Sequence, residues 1–185
     1  IDSRQLDHKE AKKIRRIEIA ARTISHIYQD LTYLVLHHQV ASQDERTDIS
    51  SLVKERVEYF KILAESKKIE IETDIQPGIT LTVDPGKMAR LVDNLLSNAI
   101  KYNRRKGEIF IRLRPGELLI QDSGIGMDEK QTGEVFKRYK RFDTSVGGFG
   151  IGLNIVAMIA QEYGFRVEIR SKAAKGSKVI VQWDA

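Results

Sequence analysis

The sequence contains no cysteine, which removes disulfides and thiolate metal sites from consideration. Proline is scarce, at Pro77, Pro85 and Pro115 only, and regularly spaced Leu, Ile and Val accompany the 31% of charged residues, so the composition excludes a disordered chain. No apolar run approaches the roughly 20 residues of a membrane span, and no signal-peptide pattern opens the chain. The expectation is a soluble polypeptide that is not inserted in a membrane. Aromatic residues amount to 7% and form no regular series with the basic ones, so the net charge of +5 does not describe a nucleic-acid surface. A polyphosphate ligand or an acidic protein partner accounts for the same sign of charge. What is present in quantity is apolar: 41% of 185 residues, enough for one packed domain and an accessory element.

That accessory element comes first. From Ile14 to His38 a seven-residue period sets Ile14, Ala21, Tyr28 and Val35 in one register and Ile17, Ile24, Leu31 and His38 in another. Ala20, Ile27 and Leu34 widen the stripe beyond a two-helix seam, which favours a helical bundle. A polar break from His37 to Thr47 follows, dividing the chain into a helical region with linker, 1–45, and a second domain, 46–185. In the second domain a helix capped by Asp48 or Ser50 is expected over Ile49 to Ser66, with strands at Ile69–Asp74 and Ile79–Val83 after it. Asp84-Pro85 starts a helix that runs to about Tyr102. A hairpin turning at Pro115-Gly116, a glycine-rich lid from Ser123 to Gly152, a helix from Leu153 to Tyr163 and a last hairpin complete the order. This order predicts an α+β fold, a two-layer α/β sandwich with its helices on one face, preceded by a long helix from a helical bundle.

Three segments carry chemistry. In the helix after Asp84, Asn94, Asn98 and Lys101 fall at i, i+4 and i+7 and share one face opposite the core. Amide oxygens can ligate a hard cation and the ammonium can meet phosphate, although such a face in isolation is an ordinary solvated one. At a strand end stands Asp122-Ser123-Gly124-Ile125-Gly126-Met127, where a carboxylate can accept from an exocyclic amine and glycines let the backbone approach a flat ring. Alone this is a common kind of loop. Before the next helix comes Gly147-Gly148-Phe149-Gly150-Ile151-Gly152, whose amides can converge on an anion or whose glycines can simply form a hinge. It lacks the Lys-Ser or Lys-Thr of a P-loop and follows a lid, not a first strand, so neither P-loop nor dinucleotide fold fits.

The ordered set of all three resembles the GHKL superfamily of ATP-binding folds and, within it, bacterial sensor histidine kinases. Asn94 through Tyr102 looks like the N box, Asp122 through Gly126 the G1 box, Phe136 through Phe142 the F box and Gly148 through Leu153 the G2 box. The resemblance implies ATP and Mg²⁺ as ligands: Asn98 as principal magnesium ligand with Asn94 close to it, and Lys101 on phosphate. It implies Tyr102 lining the pocket, Asp122 on the adenine amino group, and Gly124, Gly126 and Met127 around the base. Gly148, Gly150 and Gly152 would flank the triphosphate, with Phe149, Ile151 and Leu153 of the same box among the nucleotide-binding residues. Lid aromatics Phe136, Tyr139 and Phe142 pack against their own domain or dock on the bundle. Where many relatives have Ser or Thr then Pro, this chain has Asn103-Arg104-Arg105-Lys106 after Tyr102.

Hydrolytic members of the superfamily carry a Glu at the first N-box position; here it is Asn94, which cannot take a proton from water. Asp93 and Glu134 are the stand-ins to consider, and Asp93 is turned roughly 100° away on the helix. The expected function is therefore a protein-histidine kinase of a two-component system that presents the γ-phosphate to a histidine on its dimerisation helices. None of His8, His26, His37 or His38 stands before the acidic-basic-Thr/Ser-Pro run of such an acceptor. The helix from Ile14 matches the second bundle helix, so the expectation is that the acceptor-bearing first helix is missing here and that the chain alone does not autophosphorylate. The implied partners are an adenine nucleotide, the chain's own dimerisation helices in a homodimer and the receiver domain of a response regulator. The implied setting is cytoplasmic, with a parent protein that can be anchored in the inner membrane. Competing readings are a GHKL-type ATPase or serine protein kinase, and a nonenzymatic nucleotide-sensing dimerisation module.

Overall fold

The computed structural model of the chain describes residues 8–36, 42–134 and 151–184. They divide into two compact units, 1–40 and 41–185. The described residues of the first unit form one helix, α1 (His8–Leu36), on which Ile17, Ile24, Tyr28 and Val35 stand exposed along the seven-residue period. No described helix is long and apolar enough to cross a membrane.

The second unit begins with β1 (Glu45–Asp48), which pairs antiparallel with β3 (Thr80–Val83) in a two-stranded sheet of its own. Between them lie α2 (Ile49–Ser66) and β2 (Glu70–Ile75). The remaining elements are α3 (Pro85–Lys101), β4 (Glu108–Arg114), β5 (Glu117–Asp122), α4 (Glu129–Glu134), α5 (Gly152–Glu162), β6 (Arg166–Lys172) and β7 (Gly176–Gln182). The main sheet has the order β2-β4-β5-β7-β6, with β2 parallel to β4 and every other pair antiparallel. The α+β architecture is thus the expected one, but β2 and β3 do not pair with each other. The turn at Pro77-Gly78 leads out of the main sheet and into the small one.

Helix starts follow local chemistry. Asp48 accepts from the Ser51 amide at 2.9 Å and Asp84 from the Lys87 amide at 3.1 Å, each satisfying a donor that the first helical turn leaves over. Asp128 and Gln131 cap α4 reciprocally, through the Gln131 amide on Asp128 Oδ1 and the Asp128 amide on Gln131 Oε1. The sheet buries Ile109, Ile111 and Leu113 of β4 against the helical layer while Phe110, Arg112 and Arg114 stay partly exposed, which is the period of two of a sheet covered on one face. Met88, Leu91, Leu95 and Leu96 of α3 and Ile155 and Ile159 of α5 complete that core.

On α3 the carboxylate of Asp93, 7% exposed, is held bidentate by Arg56 of α2, with Nε–Oδ1 at 2.6 Å and NH2–Oδ2 at 2.9 Å. Breaking a largely buried pair of this geometry leaves the guanidinium only the exposed Glu55, at 3.5 Å, as counter-charge, so Asp93→Ala should lower the unfolding free energy by about 2 kcal/mol. Urea unfolding measures it, and nucleotide affinity at 25 °C should stay unchanged.

Candidate functional site

The C-terminal half of α3 is joined to the end of β5 by the backbone. The Tyr102 carbonyl, just past the last turn of α3, accepts from the Ile125 amide at 3.0 Å. Gly124 fits beneath that carbonyl because a Cβ there would collide with the Tyr102 oxygen. This brings Asn98, Lys101 and Tyr102 beside the loop that carries Asp122.

Asp122 ends β5 with its carboxylate turned inward. Oδ1 accepts from the Gly124 amide at 2.8 Å and the Ser177 amide at 3.3 Å, and among the described residues no group donates to Oδ2. Burial raises the Asp122 pKa above its ordinary value, opposed by those two amides. Behind it, Gly176 (φ +90°) and Gly126 (φ +63°) occupy left-handed backbone where a Cβ would strike the Asp122 and Lys172 carbonyl oxygens, respectively. Ser171 ties this floor together: its hydroxyl accepts from the Met127 amide at 2.8 Å and donates to the Gly176 carbonyl at 3.0 Å.

On the other side, the first residue of α5 lies on the amide face of α3. A Cβ on Gly152 would meet Asn94 Oδ1 and come within 3.7 Å of Asn98 Nδ2. The Asn94–Asn98 face is therefore not an open one, as the sequence alone indicates, because the α5 N-terminus covers it. Asn94 retains 2% exposure and is pinned by its Nδ2 to the Arg90 carbonyl at 3.0 Å. Asn98 is half-exposed, and among the described residues its side-chain amide makes no hydrogen bond. The Lys101 ammonium lies 4.6 Å from the centroid of the Tyr102 ring and pairs with no described carboxylate. Lys67 caps the same helix end, donating to the carbonyls of Ile100 at 2.9 Å and Lys101 at 2.7 Å. Burial, and then the nearby Lys101 charge, pulls the Lys67 pKa below its ordinary value.

Residues 83–185 match the family described as histidine kinase-, DNA gyrase B-, and HSP90-like ATPase. The chain belongs to that family. It is 33% identical over 141 residues to the sensor-like histidine kinase SenX3 of Mycolicibacterium smegmatis, covering 72% of this chain and 37% of that protein. It is 29% identical over 180 residues to the sensor histidine kinase RppB of Synechocystis sp., covering 91% of this chain and 40% of that one. The chain thus spans about two fifths of the length of these curated relatives. Among solved structures, the mycobacterial sensor histidine kinase MprB superposes with a TM-score of 0.64 at 26% identity, over 75% of this chain and 95% of that one. The Acinetobacter baumannii histidine kinase AdeS gives 0.66 at 20% identity over 96% and 85%, a likeness of fold.

Within this ATPase-family fold the structure brings together Asn94, Asn98, Lys101 and Tyr102 at one end of α3, Asp122, Gly124, Gly126 and Met127 at the end of β5, and Ile151, Gly152 and Leu153 at the start of α5. Gly148, Phe149 and Gly150, with Phe136, Tyr139 and Phe142, lie outside the described residues, as do His37, His38 and the side chains of His8, His26 and Glu134. Sequence reasoning missed Asn103, Ser123, Ser171 and Lys67 as supports of the site. Only the adjacency of Asn103 and Ser123 to two recognisable boxes could have signalled them.

Proposed function

We propose that the chain binds Mg–ATP between α3 and the end of β5 and presents the γ-phosphoryl group to a histidine on the dimerisation helices of a sensor kinase. The observation that carries this reading is a pair of polar groups left over among the described residues, on two elements that the Tyr102–Ile125 hydrogen bond joins: Asp122 Oδ2 at the strand end and the Asn98 amide on the helix. A free carboxylate oxygen suits the amino group of adenine, and an amide oxygen suits a hard cation. No group of three His, Cys, Asp or Glu stands ready to hold a metal among the described residues. Magnesium commonly needs only one or two protein ligands when substrate phosphates and water complete its shell.

When bound, the metal neutralises charge on the phosphates. Asn98 would hold it, with Asn94 behind, and Lys101 would reach phosphate oxygens. The α5 N-terminus, where Ile151 provides no side-chain cap, would turn the positive end of its helix dipole toward the same anion. Transfer then breaks the bond between the γ-phosphorus and the β,γ-bridging oxygen and forms one to an imidazole nitrogen, with ADP leaving. The chain's contribution is position and charge. Hydrolysis would be slow, because Asn94 is an amide pinned to Arg90 and the Asp93 carboxylate is engaged by Arg56. The homodimer partner would pack on the exposed stripe of α1, and a receiver domain would take the phosphoryl group from the histidine.

The test supplies a dimerisation bundle carrying an acceptor histidine in trans, with labelled ATP and magnesium. Acid-labile, base-stable label on that histidine is the expected result, reduced about 100-fold or more by Asn98→Ala in proportion to lost magnesium-dependent binding. Unchanged, magnesium-independent nucleotide binding by Asn98→Ala contradicts the metal assignment.

A further inference from the structure

We propose that Asn103, acting with Ser123, is a positioning residue that fixes the separation between the two halves of the nucleotide site; this rests on the function proposed above. The two halves belong to different elements. Asn98 and Lys101 are on α3, whereas Asp122, Gly124 and Gly126 are on the loop that follows β5. A ligand that touches both gains from their fixed relative placement, as a second contact made within an existing complex always does.

Asn103 stands where the two elements meet. It follows the α3 cap residue Tyr102 directly and is 7% exposed. Its Nδ2 donates to the Glu108 carbonyl at 3.0 Å, and its Oδ1 accepts from the Arg104 amide at 3.0 Å and from the Ser123 hydroxyl at 3.3 Å. Ser123 closes the ring, its hydroxyl accepting from the Glu108 amide at 2.8 Å and its own amide donating to the Glu108 carbonyl at 3.1 Å. The first residue of β4 thus has both backbone groups engaged by these two side chains and by the chain just past Asp122. Gly107 completes the seat, since a Cβ there would collide with Asn103 Oδ1.

The chemistry selects asparagine. The position needs a donor for one carbonyl and an acceptor for two hydrogens, which a carboxylate cannot supply and a hydroxyl supplies less fully. Together with the Tyr102–Ile125 hydrogen bond, the ring crosslinks the end of α3 to the Asp122 loop at two points, one on each side of Gly124. Losing it leaves, among the described residues, the Tyr102–Ile125 pair as the remaining hydrogen bond between the end of α3 and the Asp122 loop, while each half keeps its own residues.

A residue that merely stabilises the fold and one that sets this gap differ in what they do to ligands of different reach. Asn103→Ala should lower the affinity for Mg–ATP about tenfold, while that for adenosine, which touches the Asp122 side alone, changes less than about twofold. Ser123→Ala, which removes only one hydroxyl, should act in the same direction, and the double variant should lose little more than the larger single one. It also serves if Asn103→Ala does not fold. Calorimetry for Mg–ATP and an NMR titration for adenosine measure both, beside a Val57→Ala core variant chosen for comparable loss of melting temperature. That control should keep the wild-type ratio of the two affinities. Equal loss for both ligands in Asn103→Ala and Ser123→Ala, or no loss for either, overturns the positioning role. A wild-type chain that does not bind Mg–ATP overturns the proposed function instead.

Discussion

Asp122→Asn should lower ATP affinity about 100-fold and bring GTP to equal or better affinity than ATP. The substitution is nearly isosteric and keeps Oδ1, which the Gly124 and Ser177 amides hold in place. Those two donors force the new NH₂ group into the position of Oδ2. A donor would then face the amino group of adenine, also a donor, but would suit the carbonyl of guanine. The same change should raise the melting temperature of the ligand-free domain at neutral pH. With its pKa raised by burial, Asp122 holds a proton to higher pH in the folded chain than in the unfolded one. Stability is therefore lost as pH rises from the ordinary aspartate range through the folded value, and above it the ionised group is a standing cost that Asn removes. Calorimetric titrations with both nucleotides and a thermal melt at two pH values test this; an unchanged ATP preference contradicts the base-reading role.

Gly152→Ala should cost at least tenfold in Mg–ATP affinity and lower the melting temperature. Helix propensity alone argues the other way, since Ala in a helix is favoured over Gly by about 0.5–1 kcal/mol. Sterics decide the sign. The added methyl meets Asn94 Oδ1, and Asn94 cannot turn aside because its other amide atom is bonded to the Arg90 carbonyl in a nearly sealed position. The first turn of α5 has to back away, carrying its amides from Asn98. A melting temperature that rises, with affinity intact, means that α5 does not form a wall of the site.

Much of this arrangement is legible in the sequence because it rests on local chemistry. Asp48 and Asp84-Pro85 announce their helices by capping, and the alternation through β4 and the spacing along α3 reveal which faces are buried. Where the determinants are non-local the reading fails. β1 is Glu-Arg-Thr-Asp with no apolar period, and it is a strand because Thr47 and its neighbours meet β3, the Thr47 hydroxyl donating to the Val83 carbonyl at 3.0 Å. β2 is legible as a strand from its alternation, but its partner is β4, about 38 residues on, in a parallel pairing that no turn residue encodes. At the site, the residue types of Asn94, Asn98 and Asp122 are readable as chemistry. The covering of Asn94 by Gly152, and the ring of Asn103 and Ser123, come from chain crossings that only the folded form brings about.

The proposed function requires one nucleotide to bridge the helix amides and the strand-end carboxylate. A crystal structure of the chain with magnesium and a non-hydrolysable ATP analogue tests it most directly. The adenine amino group is expected within hydrogen-bond distance of Asp122 Oδ2, the metal on the side-chain oxygen of Asn98 and phosphate oxygens toward Lys101. An analogue bound elsewhere, or one touching Asp122 with its metal remote from α3, contradicts it.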